Sequence, residues 1–135
     1  MVAQLISARL EARGVVAREI PDQEILHRLL FSSVNECCRI IEEGLVYRAS
    51  DIDVAWIHGF GFPRYRGGLM FWADGIGASA IHRQVRHWEA EHGKRWAPAP
   101  LLSEAAASGA LLRELKGAGA GDRRPGSQGV AKKTA

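Results

Sequence analysis

Apolar residues recur along this chain at helical spacing, and no stretch shows the alternation of a half-buried strand. Val2, Leu5, Ile6 and Leu10 share one side of a short amphipathic helix over 2–13, stopped by Gly14. Residues 15–20 read as a connector. Pro21 and Asp22 then open the longest helix, over 21–43, with Ile25, Leu26, Leu29, Leu30, Val34, Cys37, Ile41 and Leu45 as its apolar stripe. Arg28, Ser32, Asn35, Arg39, Glu42 and Glu43 fill the opposite side, and Gly44 closes it. The next helix starts from Ser50 and Asp53, spaced as an S-x-x-D capping box, and runs to Gly59. Asp51 and Asp53 both suit the positive end of a helix.

Residues 59–68 break the pattern: Gly59, Gly61, Gly67, Gly68 and Pro63 are interleaved with Phe60, Phe62 and Tyr65. That density of glycine specifies a tight backbone path, with positions of positive φ or close approach. The aromatics predict a loop packed into the core. A short helical turn follows over 69–74, then a helix over 78–91 with Ile81, Val85 and Trp88 inward and Gly93 as its stop. Trp96, Pro98 and Pro100 make a rigid crossing. A last helix spans 101–112, interrupted near Gly109. The fold class is therefore all-α: a small helical bundle. Its expected divisions are an N-terminal helix and connector (1–20), a helical domain (21–112) and a disordered basic tail (113–135).

Charge changes this picture little. The net charge of +3 points to nucleic acid until it is located. Residues 113–135 hold six basic and two acidic side chains, whereas 1–112 hold 12 and 13. The body is balanced and the basicity belongs to the tail, which argues against a nucleic-acid surface. No apolar run is long enough for a membrane span. The first residues lack the basic and apolar blocks of a signal peptide. Arg9, Arg13 and Arg18 punctuate an amphipathic stretch as in a transit peptide, but Glu11 and Glu19 oppose that reading. Cys37 and Cys38 are neighbours that cannot form an ordinary disulfide, and two ligands do not make a zinc site. Free thiols in a reducing cytoplasm are the expectation.

Catalytic chemistry is hard to place. The string beginning at Gly59 and Gly61 imitates a dinucleotide-binding turn, but Arg64 replaces the third glycine and a capped helix precedes it. A second string over 117–121 has neither strand nor helix beside it. His82, His87 and His92, five apart, scatter around a helix rather than pairing for metal. His58, at a helix C-terminus, reads as a capping residue. No serine or cysteine nucleophile stands beside a base. No catalytic, cofactor-binding or metal-binding residue is assigned. Arg64 and Arg66, flanking Tyr65, suit either a bound anion or acids of a neighbouring domain.

The run 42–68, and above all Gly59, Phe60, Gly61, Phe62, Pro63, Arg64, Tyr65, Arg66, Gly67 and Gly68, resembles the 3-hydroxyacyl-CoA dehydrogenase C-terminal domain. It is most similar to the second copy of that domain in multifunctional β-oxidation enzymes, which reads G-F-P-R-Y-R-G-G where the first reads G-F-P-M-G-P. Residues 12–20 and 96–102 are similar to the flanks of that copy, so the likeness covers about 1–112. It implies a helical bundle that packs against the preceding copy. It also implies that NAD and the catalytic His–Glu pair sit in a Rossmann domain that this chain does not contain. The first copy contributes an asparagine; His27 stands at that position here, but second copies also depart from asparagine, so His27 does not inherit the role. Pro21 replaces a frequent serine cap, which the first helical turn tolerates.

The resemblance therefore implies a packing domain, fragment or split subunit, inactive alone, whose partner is a Rossmann-containing dehydrogenase or a second copy. The cofactor of the complete enzyme is NAD; this chain is expected to bind none by itself. The alternative is a repurposed module that binds an acyl-CoA, through Arg64 and Arg66 on its phosphates, or another protein.

Overall fold

A computed structural model describes residues 1–117. Within them lie six α-helices: α1 (Val2–Ala12), α2 (Asp22–Glu42), α3 (Ala49–Gly59), α4 (Leu69–Asp74), α5 (Ala78–His92) and α6 (Pro100–Ser108). Short 3-10 turns occupy Arg64–Arg66, Lys94–Trp96 and Leu112–Glu114. The one β-type pairing among the described residues is an isolated antiparallel bridge between Arg48 and Lys116.

Helix α2 is the axis of the bundle. Asp22 and Glu24 in its first turn complement the helix dipole, and Gly44, at φ 69°, lets the chain turn away after its end. Phe31, Val34, Cys37, Cys38 and Ile41 are buried. They meet Leu69, Met70 and Ala73 of α4, Ile81, Val85 and Trp88 of α5, and Leu102 and Ala105 of α6 in one core. Phe31 lies at its aromatic centre, 6.3 Å from Trp72 and 6.1 Å from Trp88, and Trp88 packs on Trp96 at 5.0 Å. Each such side chain taken fully out of water contributes about 1.5–3 kcal/mol.

The expected stripe of α2 divides in two. Val34, Cys37 and Ile41 enter the core, but Ile25, Leu26 and Leu29 are 44%, 54% and 62% exposed. The expected polar side is also partly buried. Asn35 donates to Ala97 O (3.0 Å) and accepts from Ala99 N (2.7 Å), Arg39 donates to Ala97 O, and Glu42 accepts from Leu101 N. Prolines 98 and 100 leave the 97–101 crossing short of backbone donors, so side chains of α2 secure it instead.

Helix α5 matches the sequence reading, with Ile81, Val85 and Trp88 buried and Gly93 (φ 86°) ending it. Helix α6 carries Pro100 in its first turn and stops at left-handed Gly109, earlier than the expected 112. Residues 113–117, expected in the tail, are docked: Ala49 N donates to Leu115 O and Gly117 N to Tyr47 O, both at 3.0 Å. The rest of the expected tail lies outside the described residues. Helix α1 forms as expected, yet none of its residues is buried.

Candidate functional site

The chemistry-bearing segment is the loop over 59–68, and its shape is set from α3. Helix α3 begins at Ala49 with Arg48 as N-cap and no side-chain cap, so the expected Ser50–Asp53 box does not form. The helix starts two residues ahead of that box, which leaves Ser50 inside the first turn, and Asp53 faces inward, where it is 8% exposed. Its carboxylate instead accepts from Met70 N (2.7 Å) and Phe71 N (3.3 Å), capping α4 across the loop. Burial raises its pKa above the usual 3.8, against the two backbone donors, which lower it.

That cap explains the paired glycines. Gly68 has φ 105°, and a Cβ there would lie 2.3 Å from Asp53 Cβ. Gly67 has φ 76°, and its Cβ would strike the Phe71 ring at 2.6 Å. Gly61 has φ 72° in open space, whereas Gly59 is the last residue of α3 and also faces open space. Three of the four glycines thus meet the expected positive φ. Pro63, with φ −58°, leads into the Arg64–Arg66 turn.

The aromatic residues of the loop separate. Phe62 packs inward between Trp56 (5.9 Å) and Trp72 (6.5 Å). Phe60 and Tyr65 point out, 74% and 83% exposed, against the expectation that the loop is packed into the core. Phe60 lies against Trp56 at 5.2 Å, and the Arg66 guanidinium is 5.5 Å from the Tyr65 ring centre. Arg64 is exposed beside them. The loop is therefore a rigid frame displaying two aromatic rings and two guanidinium groups. The structure brings Arg64, Tyr65 and Arg66 onto one turn, with Gly67 and Gly68 beneath as its hinge to α4.

The remaining candidates are committed elsewhere. His27 stacks on Phe31 at 4.5 Å. His82 contacts Ser103 Oγ at 3.2 Å, and His87 and His92 lie near Glu91 at 3.4 and 3.7 Å. His58 lies in the last turn of α3. Burial pushes the Cys37 thiol up to about 11 and the Cys38 thiol to about 12, far from nucleophilic use at neutral pH. Among the described residues, no group of three or more His, Cys, Asp or Glu side chains converges on a metal site. No buried side-chain nitrogen or oxygen there lacks a partner, so the interior polar groups serve the chain itself.

Asn35 and Asp74 are structural residues with no such role in the sequence reading, and Asp53 caps α4 rather than its own helix. Asp74 accepts from Leu112 N (2.6 Å) and Arg113 N (3.3 Å), fastening the final turn. The available signal was Asn35 beside Val34 and one turn from apolar residues on both sides. A polar residue in that setting is satisfied by a distant backbone.

A helical scaffold with a rigid glycine–aromatic loop is the class these features define. Residues 25–120 match the profile of the 3-hydroxyacyl-CoA dehydrogenase, C-terminal domain. The chain belongs to that family. It is 42% identical over 94 residues to the glyoxysomal fatty acid beta-oxidation multifunctional protein of Cucumis sativus, covering 70% of this chain and 13% of that protein. It is 47% identical over 87 residues to the peroxisomal fatty acid beta-oxidation multifunctional protein of Oryza sativa, covering 64% and 12%. Against the peroxisomal bifunctional enzyme of Danio rerio the identity is 34% over 111 residues, covering 81% and 16%. The match thus spans only about an eighth to a sixth of these relatives.

Proposed function

We propose that this chain is a packing domain of a 3-hydroxyacyl-CoA dehydrogenase of fatty-acid β-oxidation, contributing shape and rigidity rather than reacting groups. The observation that carries the reading is the exposed half of α2. Ile25, Leu26 and Leu29 lie outside the core on a helix whose next turns are its centre. Exposed aliphatic residues at that spacing are a docking stripe. The loop over 59–68 supplies a second contact, in which Gly59, Gly61, Pro63, Gly67 and Gly68 set the frame and Arg64, Tyr65 and Arg66 meet the partner.

Oxidising a 3-hydroxyacyl-CoA requires a positioned nicotinamide and a base at the hydroxyl. In this reading both belong to a Rossmann-containing partner, which holds NAD. The domain comprises residues 21–112 together with the docked 113–117; residues 1–20 precede it. A homodimer is the other way to cover the stripe. Two free buried cysteines suit a reducing compartment, which supports a cytoplasmic placement. The relatives' names say peroxisomal or glyoxysomal, and cell fractionation separates the two. No helix among the described residues is long and apolar enough to cross a membrane.

The test has two parts. The chain alone, with NADH and acetoacetyl-CoA, is expected to show no turnover; turnover would overturn the reading. A related multifunctional enzyme truncated before its second helical copy is expected to bind the chain, and Leu26→Glu with Leu29→Glu to abolish that complex. Failure to bind, with a stable homodimer by sedimentation, would favour self-association. The exposed Arg64 and Arg66 favour one second reading, an acyl-CoA-binding module. Saturable CoA binding lost in Arg64→Ala would support it.

A further inference from the structure

Helix α1 has a face that the rest of the molecule does not use. At about 100° per residue, Val2, Leu5, Ile6, Arg9 and Arg13 fall within an arc of about 100°. Val2, Leu5 and Ile6 are 69%, 65% and 54% exposed. With half-buried Leu10 these residues line a shallow depression of about 410 Å³. Glu11, the one acid of α1, lies on the opposite side. An isolated helix of this length is marginal in water, so its stable form is one in which this face is covered.

Charge decides among the occupants. The chain's own residues beyond 117 carry four basic side chains and one acid, the wrong sign for Arg9 and Arg13. A second α1 would bring two more arginines and no acid on its facing side. An anionic bilayer matches the sign but not the geometry. The arginines lie in the middle of the aliphatic arc rather than at its edges, so insertion would carry guanidinium groups toward the acyl region. A protein helix satisfies both requirements, because it can place carboxylates opposite arginines and aliphatic groups opposite Leu5 and Ile6.

We infer that α1 docks an amphipathic protein helix that is acidic at one end and aliphatic at the other. Arg9 and Arg13 are four apart, so the matching carboxylates are also four apart, each met by a guanidinium fork. The partner runs antiparallel. Its first turns, where acids are favoured, then lie against the C-terminal half of α1, where cations are favoured. The inference does not rest on the dehydrogenase reading, because α1 precedes the residues 25–120 matched by the family profile.

The probe is a synthetic peptide of roughly 15 residues, long enough to hold a helix once docked. It carries two glutamates four apart near its start and leucines beyond them. The full 135-residue chain is expected to bind it. Exchange of both glutamates for glutamine should weaken binding about tenfold, the worth of two half-exposed ion pairs. The double variant Arg9→Glu, Arg13→Glu should lose the acidic peptide and gain a lysine counterpart, with its far-UV circular dichroism unchanged. Equal binding of the glutamate and glutamine peptides would overturn the inference. So would absence of binding up to about 1 mM. Binding to phosphatidylglycerol vesicles without binding to the acidic peptide would overturn it in favour of a bilayer.

Discussion

Replacing Gly68 with alanine tests the central packing argument. At φ 105° an L-residue is strained, at a cost of about 1–3 kcal/mol. The new methyl group would also sit 2.3 Å from Asp53 Cβ. That atom is fixed by the α3 backbone, so no rotamer of Asp53 clears the space. Helices α3 and α4 must separate, and the contacts of the Asp53 carboxylate with Met70 N and Phe71 N lengthen or break. A hydrogen bond to a charged group is worth about 1.5–3 kcal/mol. With one of the two bonds lost, the total comes to about 2.5–6 kcal/mol, a large fraction of the roughly 5–15 kcal/mol of a typical domain. Urea unfolding with linear extrapolation measures it. Two internal controls sharpen the result. Gly61→Ala meets open space at positive φ and should cost about 1–2 kcal/mol. Gly59→Ala, helical and unobstructed, should cost nothing and gain at most about 1 kcal/mol. If Gly68→Ala falls within about 1 kcal/mol of Gly61→Ala, the close approach of Asp53 to Gly68 is not what fixes the loop.

Further outcomes follow from the same structure. Gly61→Val should destabilise more than Gly61→Ala, because a β-branched side chain tolerates positive φ poorly; an unchanged melting temperature would refute a backbone role for Gly61. Asn35→Ala should cost about 1–3 kcal/mol by leaving Ala99 N and part of Ala97 O unsatisfied, read by the same urea titration. Asp53 is an acid whose folded pKa is raised, so its protonated form is favoured by folding. Its contribution is fully present below the unfolded value of 3.8 and is lost as pH rises through the folded pKa. The stability of the natural chain relative to Asp53→Asn should therefore grow as pH falls toward that value, and a flat difference would contradict the cause assigned to the shift. Cys37 and Cys38 should resist a thiol reagent at neutral pH until urea unfolds the chain, given thiols raised to about 11 and about 12. Rapid labelling of the native protein would show the core opens around them.

How far the sequence could be read depended on whether local pattern or a distant partner set each feature. Helix α5 was legible because Ile81, Val85 and Trp88 mark one face and glycines bracket it. The extent of α2 was legible for the same reason, but its environment was not. Periodicity identifies an apolar side without naming what covers it, so Ile25 and Val34 look alike on paper although one is exposed and the other buried. Asn35 was placed on the polar side, yet that side faces the proline-rich crossing. Asp53 had the spacing of a local cap, and only the position of α4 shows that it caps another helix. The loop glycines were legible as a specified path; the outward turn of Phe60 and Tyr65 was not, since aromatic residues beside glycine read as core. Residues 113–117 are hard to read from sequence: Leu115 is the one apolar side chain among them, too little for a period, and backbone pairing leaves no side-chain signature.

That last pairing governs the order in which the molecule can be completed during synthesis. The bonds from Ala49 to Leu115 and from Gly117 to Tyr47 join the entrance of α3 to the end of the described chain. Until the ribosome has released that closing stretch, Ala49 N and Tyr47 O lack these protein partners and the entrance of α3 is unclasped. A nascent chain stalled just short of it would already contain the residues of all six α-helices and still lack the clasp.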